Sequence, residues 1–198
     1  MSTDLTLALV STIRHDGHGG VADDLADPAG LASWLDARAG LLHAAGVPPV
    51  GDVDETLRAE VVELRRAVRA LCAETVRPGP PSRADAATLL PAPAAVDRLN
   101  RAAGRVPVHP VLAWPADREP EMSLVAGPAE PRVRLPAALA TAAIAFLTGP
   151  DRTRLRACPA PRCVRYFVQE HARQQWCKPS CGNRARVARH YHRRQADG

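Results

Sequence analysis

Four of the five cysteines in this 198-residue chain sit in its last quarter, as Cys158 and Cys163 with four residues between them and Cys177 and Cys181 with three. Folding alone gives no reason for that spacing. A thiolate pair on a tight turn can chelate a metal ion, and two such pairs brought together form the all-sulfur tetrahedron that Zn²⁺ favours, with sulfur at roughly 2.3 Å. The pattern reads as one closed, structural zinc site. Disulfides would need an oxidising compartment, yet the chain opens MSTDLTLALV without a basic region followed by an apolar stretch of signal-peptide length. Reduced thiols in a cytoplasmic protein are therefore expected. A redox pair would want Cys-x-x-Cys, and catalytic zinc would need an open coordination position. Disulfide pairing and plain core cysteines remain as alternatives, and His171, His190 or His192 could replace one ligand.

Length suits one ordinary domain, residues 1–150, followed by a small appendix, residues 151–198. Charge divides the chain at the same place. Residues 151–198 carry 12 basic and 3 acidic side chains, a balance of +9, while residues 1–150 carry 14 and 18, a balance of −4, consistent with the net +5. A compact positive module on a mildly negative body is the electrostatic footprint of a phosphate-binding appendage, with a solvated basic tail as the plainer reading. No apolar run approaches the roughly 18 residues of a membrane span, so no membrane partner is expected.

Read in order, the body is mostly helical. Leu5, Leu7 and Leu9 alternate, but Leu5, Leu9 and Ile13 also fit a helix, which leaves the opening ambiguous. Residues 14–24 read as a polar, glycine-rich loop in which His15 and His18 lack further metal ligands nearby. Asp27-Pro28 starts a helix carrying Leu31, Trp34, Leu35, Leu42 and Ala45 on one face until Gly46. Asp52 with Glu55 resembles a capping box before Leu57, Val61, Leu64, Val68 and Leu71. On this second helix Arg58, Arg65, Arg66 and Arg69 alternate with Glu60 and Glu63, as on a salt-bridged solvent face, and Cys72 reads as a buried thiol. Ser82 with Asp85 predicts a helix through Leu90, and another follows from about Ala94 to Ala103 with Val96 and Leu99 inward. Residues 106–114 and 122–126 read as a strand pair, with Pro107 and Pro110 confining one strand to an edge. Pro136 then opens an apolar helix that Gly149-Pro150 halts. The fold class is α+β: a mostly helical domain with a small hairpin or sheet, then a zinc knuckle, hairpin and helix.

In the last quarter, residues 155–158 and 164–169 predict a hairpin flanking the knuckle, with Tyr166, Phe167 and Trp176 as a small apolar core. Metal would supply the remaining stability. A helix is expected from about Asn183 to Arg194, so that Cys181 lies near its positive end. Gly182 would permit a tight turn, Asn183 is a cap by type, and Arg184 could donate to carbonyls or a carboxylate that fix the knuckle. At about 100° per residue, Arg186, Arg189, His190 and Arg193 share a cationic face, while Arg184, Val187 and Tyr191 mark a packing face. Arg173, Lys178 and Arg194 extend the patch. Phosphate contact needs only this charge, whereas reading bases needs placed donors.

The run Trp176-Cys177-Lys178-Pro179-Ser180-Cys181-Gly182-Asn183-Arg184, after Cys158-x₄-Cys163 and Tyr166-Phe167, resembles the CGNR zinc finger, named for its Cys-Gly-Asn-Arg tetrapeptide. In that family the finger usually closes a two-part bacterial protein whose first part is the ABATE domain, associated with stress-induced transcription regulation. The resemblance implies a DNA-binding regulator whose body senses a small-molecule effector or forms a homodimer, and it implies no enzyme. The body agrees in showing no nucleophile elbow, phosphate-cradling glycine loop or HExxH. RNA binding and a zinc-stabilised protein-interaction module are the competing functions for the same charge and aromatic residues.

Overall fold

The computed structural model describes residues 2–18, 20–85 and 88–196. Leu5 and Leu9 lie four apart and are both buried, so the opening segment is a helix, α1 (Ser2–Val10), and not a strand. The stretch expected to be a loop folds back on itself as the antiparallel pair β1 (Ile13–His15) and β2 (Val21–Asp23), with Arg14 opposite Ala22. Asp16 closes its turn by accepting from the amides of His18 and Gly20 at 2.8 and 3.0 Å.

Asp27 caps the next helix as its type predicts, its side chain accepting from Gly30 N at 2.7 Å. That helix is two pieces, α2 (Pro28–Ala37) and α3 (Ala39–Ala44), because the backbone of Arg38 leaves the helical region. Gly46, at φ 75°, ends the second piece. The long helix α4 (Glu55–Thr75) starts one residue after Asp54, which accepts from Leu57 N at 2.9 Å. Asp54, not Asp52, is the cap, and it also takes a two-point pair from Arg132 at 2.8 and 2.7 Å.

α5 (Ala92–Ala103) buries Ala95 against Ala67 and Ala70 and Leu99 in the main core, and leaves Val96 outward, against expectation. Of the helix expected from Ser82 through Leu90, residues 86 and 87 lie outside the described residues, and the described flanks are turns. β3 (Val108–Ala113) and β4 (Glu121–Ala126) pair as expected in a two-stranded ribbon. α6 (Pro131–Thr148) begins at Pro131, so Pro136 sits inside it. Pro136 lies just past the four N-terminal amides that lack partners within the helix, so it withholds the one helical bond that an amide there would donate to Arg132 O. α6 is nonetheless the buried centre: Leu135, Leu139, Ala140, Ala143 and Phe146 meet Leu5 and Leu9 of α1, Leu64 and Val68 of α4, and Leu99 of α5. Among the described residues no helix is long and apolar enough to cross a membrane.

One expectation for α4 fails in an informative way. Arg66 pairs with Glu63 at the surface, and Arg58 pairs with Glu55 while also reaching Leu25 O. Arg65 and Arg69, however, are only 3 % exposed. Arg65 grips Asp23 at 2.5 and 2.7 Å and Thr12 Oγ1 at 2.9 Å. The partner carboxylate comes from β2, 42 residues away, so helical periodicity alone could not tell a buried guanidinium from a solvated one. Cys72 lies wholly buried beneath, and desolvation pushes its thiol up to about 12.

Candidate metal centre and basic helix

After α6 a turn of 3₁₀ helix leads into β5 (Leu155–Ala157), paired antiparallel with β6 (Tyr166–Val168), and both flank the knuckle as expected. Cys158 N donates to Arg165 O at 2.9 Å and Cys163 N to Ala160 O at 3.0 Å, which folds the five intervening bonds tightly enough to face the two thiols. Arg162 adopts φ 63°, a left-handed conformation that L residues enter at a cost, and this turn returns the chain to Cys163.

The second pair comes from the start of α7 (Pro179–Ala196). Cys181 is its third residue, so the helix begins four residues before Asn183 and its positive end lies beside the thiol. The ligand atoms of Cys158, Cys163, Cys177 and Cys181 all lie within 4.8 Å of one another, the one such grouping among the described residues. Cys163 and Cys177 are 3.7 Å apart and Cys177 and Cys181 3.6 Å. A tetrahedron with zinc–sulfur bonds of about 2.3 Å has edges of about 3.8 Å, so these spacings fit a single zinc ion. Hydrogen bonds from Cys158 and then Cys177 hold Cys163 far below the ordinary thiol value, the contact with Cys163 pushes Cys158 up to about 11, and contacts with Cys158 and then Cys163 drive Cys177 upward. Four thiolates at these spacings repel one another, and a cation among them relieves that repulsion. The four thiols would hold zinc as a structural cross-link with no open position for water.

The neighbouring CGNR residues serve the knuckle differently from what their types suggest. Gly182 is buried inside the first turns of α7, and a Cβ there would stand 3.2 Å from Cε3 of the Trp176 ring, so the glycine makes room for an aromatic lid. Asn183 caps nothing. It is exposed, and its Oδ1 accepts from Arg186. Arg184 donates through Nη2 to Cys181 Sγ at 3.2 Å, a charge-assisted bond to a metal ligand instead of to a carbonyl or carboxylate. Phe167 and Trp176 pack around the cysteines as expected, whereas Tyr166 turns the other way and joins the main core together with Leu155.

That reversal joins the metal module to the body. The Tyr166 hydroxyl donates to Asp85 Oδ2 at 2.8 Å and accepts from Ser82 N at 3.2 Å. Ser82 Oγ donates to Val164 O at 2.8 Å. Arg69 of α4 holds Asp85 through two nitrogens at 2.7 and 3.0 Å and also reaches Val10 O at 2.5 Å and Val164 O at 3.2 Å. Ser82 and Asp85, which look like a helix start by type, are thus the two side chains that clamp β6 to α4. Burial, reinforced by Asp85, pushes the Tyr166 phenol upward, so it stays a hydrogen-bond donor.

Beyond Arg184 helix α7 leaves the knuckle. Arg186, Arg189 and Arg194 are exposed, as are Arg173 and Lys178 at its base. Val187 and Tyr191, expected on a packing face, are instead 70 % and 61 % exposed. The side chains of His190 and Arg193 lie outside the described residues, as does that of His192, and His171 is exposed and apart from the cysteine cluster. His15 accepts from Gly17 N through Nδ1.

Comparison with known families agrees with this division of labour. Residues 154–194 match the CGNR zinc finger, and residues 3–150 match ABATE, described as "Putative stress-induced transcription regulator". No curated protein matches the chain. With most of its length covered by the first of these matches and its cysteine cluster by the second, the chain belongs to the ABATE family and ends in a CGNR zinc finger.

Proposed function

We propose that the protein is a zinc-dependent, DNA-binding transcription regulator whose C-terminal finger contacts the phosphate backbone. The observation that carries the reading is the free stretch of α7, where Arg186, Arg189 and Arg194 project into solvent without a carboxylate partner among the described residues. A helix of this charge lies readily against phosphates or in a major groove, and zinc anchors its base. Arg184 is assigned to the knuckle and not to DNA, since its guanidinium is held by Cys181. The domains act as 1–150 for the body and 151–198 for the finger, with no catalytic step. The body has features suited to regulation. A cavity of about 540 Å³ between α6 and the β3–β4 ribbon, lined by Val106, Leu124, Ala138 and Thr141, has the size and apolar character of a small-molecule effector site. The ribbon's one face carries Leu112, Trp114, Met122 and Leu124, all well exposed, as a homodimer surface would.

Zinc-loaded protein titrated onto random-sequence duplex DNA should lose affinity linearly on a log–log salt plot, with a slope of roughly −0.9 per phosphate contacted. Arg186→Ala with Arg189→Ala should reduce that slope, and absent or salt-insensitive binding would refute the proposal. Exposed Val187 and Tyr191 favour a second reading, a protein-interaction helix. It predicts that the arginine changes leave function intact while Tyr191→Ala abolishes it. Equal competition by duplex RNA would shift the assignment to RNA binding.

A further inference from the structure

Where the β1–β2 hairpin of the body meets the finger, a cavity of about 320 Å³ is walled by Arg14, Asp16, Arg165, Lys178 and Arg184. His15, Gly17, Val164 and Cys163, the last one of the four clustered thiols, complete the wall. From this arrangement we infer a binding site for a phosphate group at the junction of body and finger, a site built from both halves of the chain. For its DNA arm alone, the inference rests on the function proposed above.

The case is that the wall is rich in unpaired donors, while the Cys163 thiol that also lines it belongs to the cysteine cluster. Gly17 N donates to His15 Nδ1 at 2.6 Å, which fixes the imidazole tautomer with its proton on Nε2. That Nε2 is buried and finds no partner among the described residues. Arg184 Nε, another N–H donor, is buried and unpartnered in the same way. Arg165 and Lys178 form no ion pair with a described residue, unlike Arg14, which holds Asp24 at 2.5 Å. The single carboxylate of the wall, Asp16, is committed to its own turn through the amides of His18 and Gly20. Buried N–H groups left unpaired are destabilising, so such a wall favours a ligand that only accepts. An oxyanion with several acceptor oxygens meets that demand, and phosphate meets it with the charge that Arg165 and Lys178 complement. The cations also face the metal centre, but Arg184 already serves it by its bond to Cys181. Because Arg14 and His15 belong to β1 while the other cations belong to the finger, occupancy draws the two halves together and couples the body to the orientation of α7.

The phosphate could belong to a DNA strand or to a small phosphorylated molecule, and two titrations of full-length, zinc-loaded protein separate these. The first adds inorganic phosphate at constant ionic strength and follows thermal unfolding and heat of binding. The second repeats the duplex salt titration. Lys178→Gln and Arg165→Gln remove the free cations, Arg14→Gln removes the body's, and Arg118→Gln, at an exposed position outside the cavity wall, is the control. Zinc content and phosphate-free melting temperature establish that each variant is folded, and Lys178→Gln, at an exposed position, stands in if Arg165→Gln is not. A small-molecule site gives phosphate stabilisation of the wild type that weakens roughly tenfold in each charge variant. A backbone site gives a salt slope smaller by about one in Lys178→Gln, and free phosphate then competes with duplex. If phosphate neither stabilises nor competes and the slope is unchanged, the inference is overturned while DNA binding through Arg186 and Arg189 stands. If no DNA binds but phosphate stabilises, the function proposed above fails and this site survives.

Discussion

Replacing Arg69 by Met should unlatch the finger from the body. Arg69 is 3 % exposed and Asp85 6 %. The substitution keeps the side-chain length and removes two bonds to Asp85 together with those to Val10 O, Ser82 Oγ and Val164 O. It leaves a buried carboxylate with Tyr166 as its remaining donor. Removing one partner of a buried pair costs about 3–5 kcal/mol, against a total stability of about 5–15 kcal/mol for a native protein. At about 2–4 °C per kcal/mol for a chain of this size, the melting temperature should fall by about 6–20 °C. Asp85→Leu alone should cost a similar amount, since it strands the guanidinium. The two together should be far less harmful than their sum, because the charges leave together. Urea unfolding of the wild type, both single variants and the double variant closes the cycle. A loss below about 1 kcal/mol for Arg69→Met, or simple additivity in the double variant, would refute the reasoning.

Zinc removal by a chelator, or Cys177→Ser, should release residues 169–196 to rapid amide exchange while β5 and β6 stay protected. Leu155, Tyr166 and Val168 are anchored in the main core, and the cysteine cluster lies on the other side of the hairpin. Exchange of the whole last quarter as a unit would contradict this. Acid should weaken the body through particular carboxylates. Burial favours the protonated form of Asp23, but the Arg65 hydrogen bond and the Leu25 amide outweigh it and hold the carboxyl below its ordinary value. Asp54 is lowered by the Leu57 amide and by Arg132. For a carboxyl depressed in the folded state, the stabilisation is complete above the unfolded value near about pH 4 and is lost as pH falls through the folded one. The stability gap between wild type and Asp23→Asn, measured by urea unfolding, should therefore shrink from about pH 5 to about pH 3, and a gap that holds constant would count against the pair.

Much of the molecule is set by short-range rules and was legible without coordinates. The spacing of Cys158, Cys163, Cys177 and Cys181 predicts one metal centre because loop closure over a few residues leaves few other arrangements. Asp27 before Pro28, the apolar stripe of α4 and the dense apolar runs of β3 and β4 act over short stretches of chain, and each element begins or pairs close to where that reading puts it. Boundaries moved by a few residues where two candidate caps or prolines competed, as with Asp52 and Asp54 or Pro131 and Pro136.

Tertiary packing alone decided the fate of the polar side chains. Arg65 and Arg69 share the spacing of a solvated face with Arg58 and Arg66, yet two are buried because Asp23 and Asp85 arrive from elsewhere in the chain. Tyr166 looks like finger core and instead anchors the finger to the body, and Gly182 looks like a turn and instead makes room for Trp176. Charge neutralisation and close approach depend on which distant segments meet, and periodicity contains no record of that meeting. The sequence by itself therefore determined the elements and the metal ligands, where the governing interactions are local. Tertiary structure decided which cations are spent on the protein and which, on α7 and at the junction cavity, remain available to a partner.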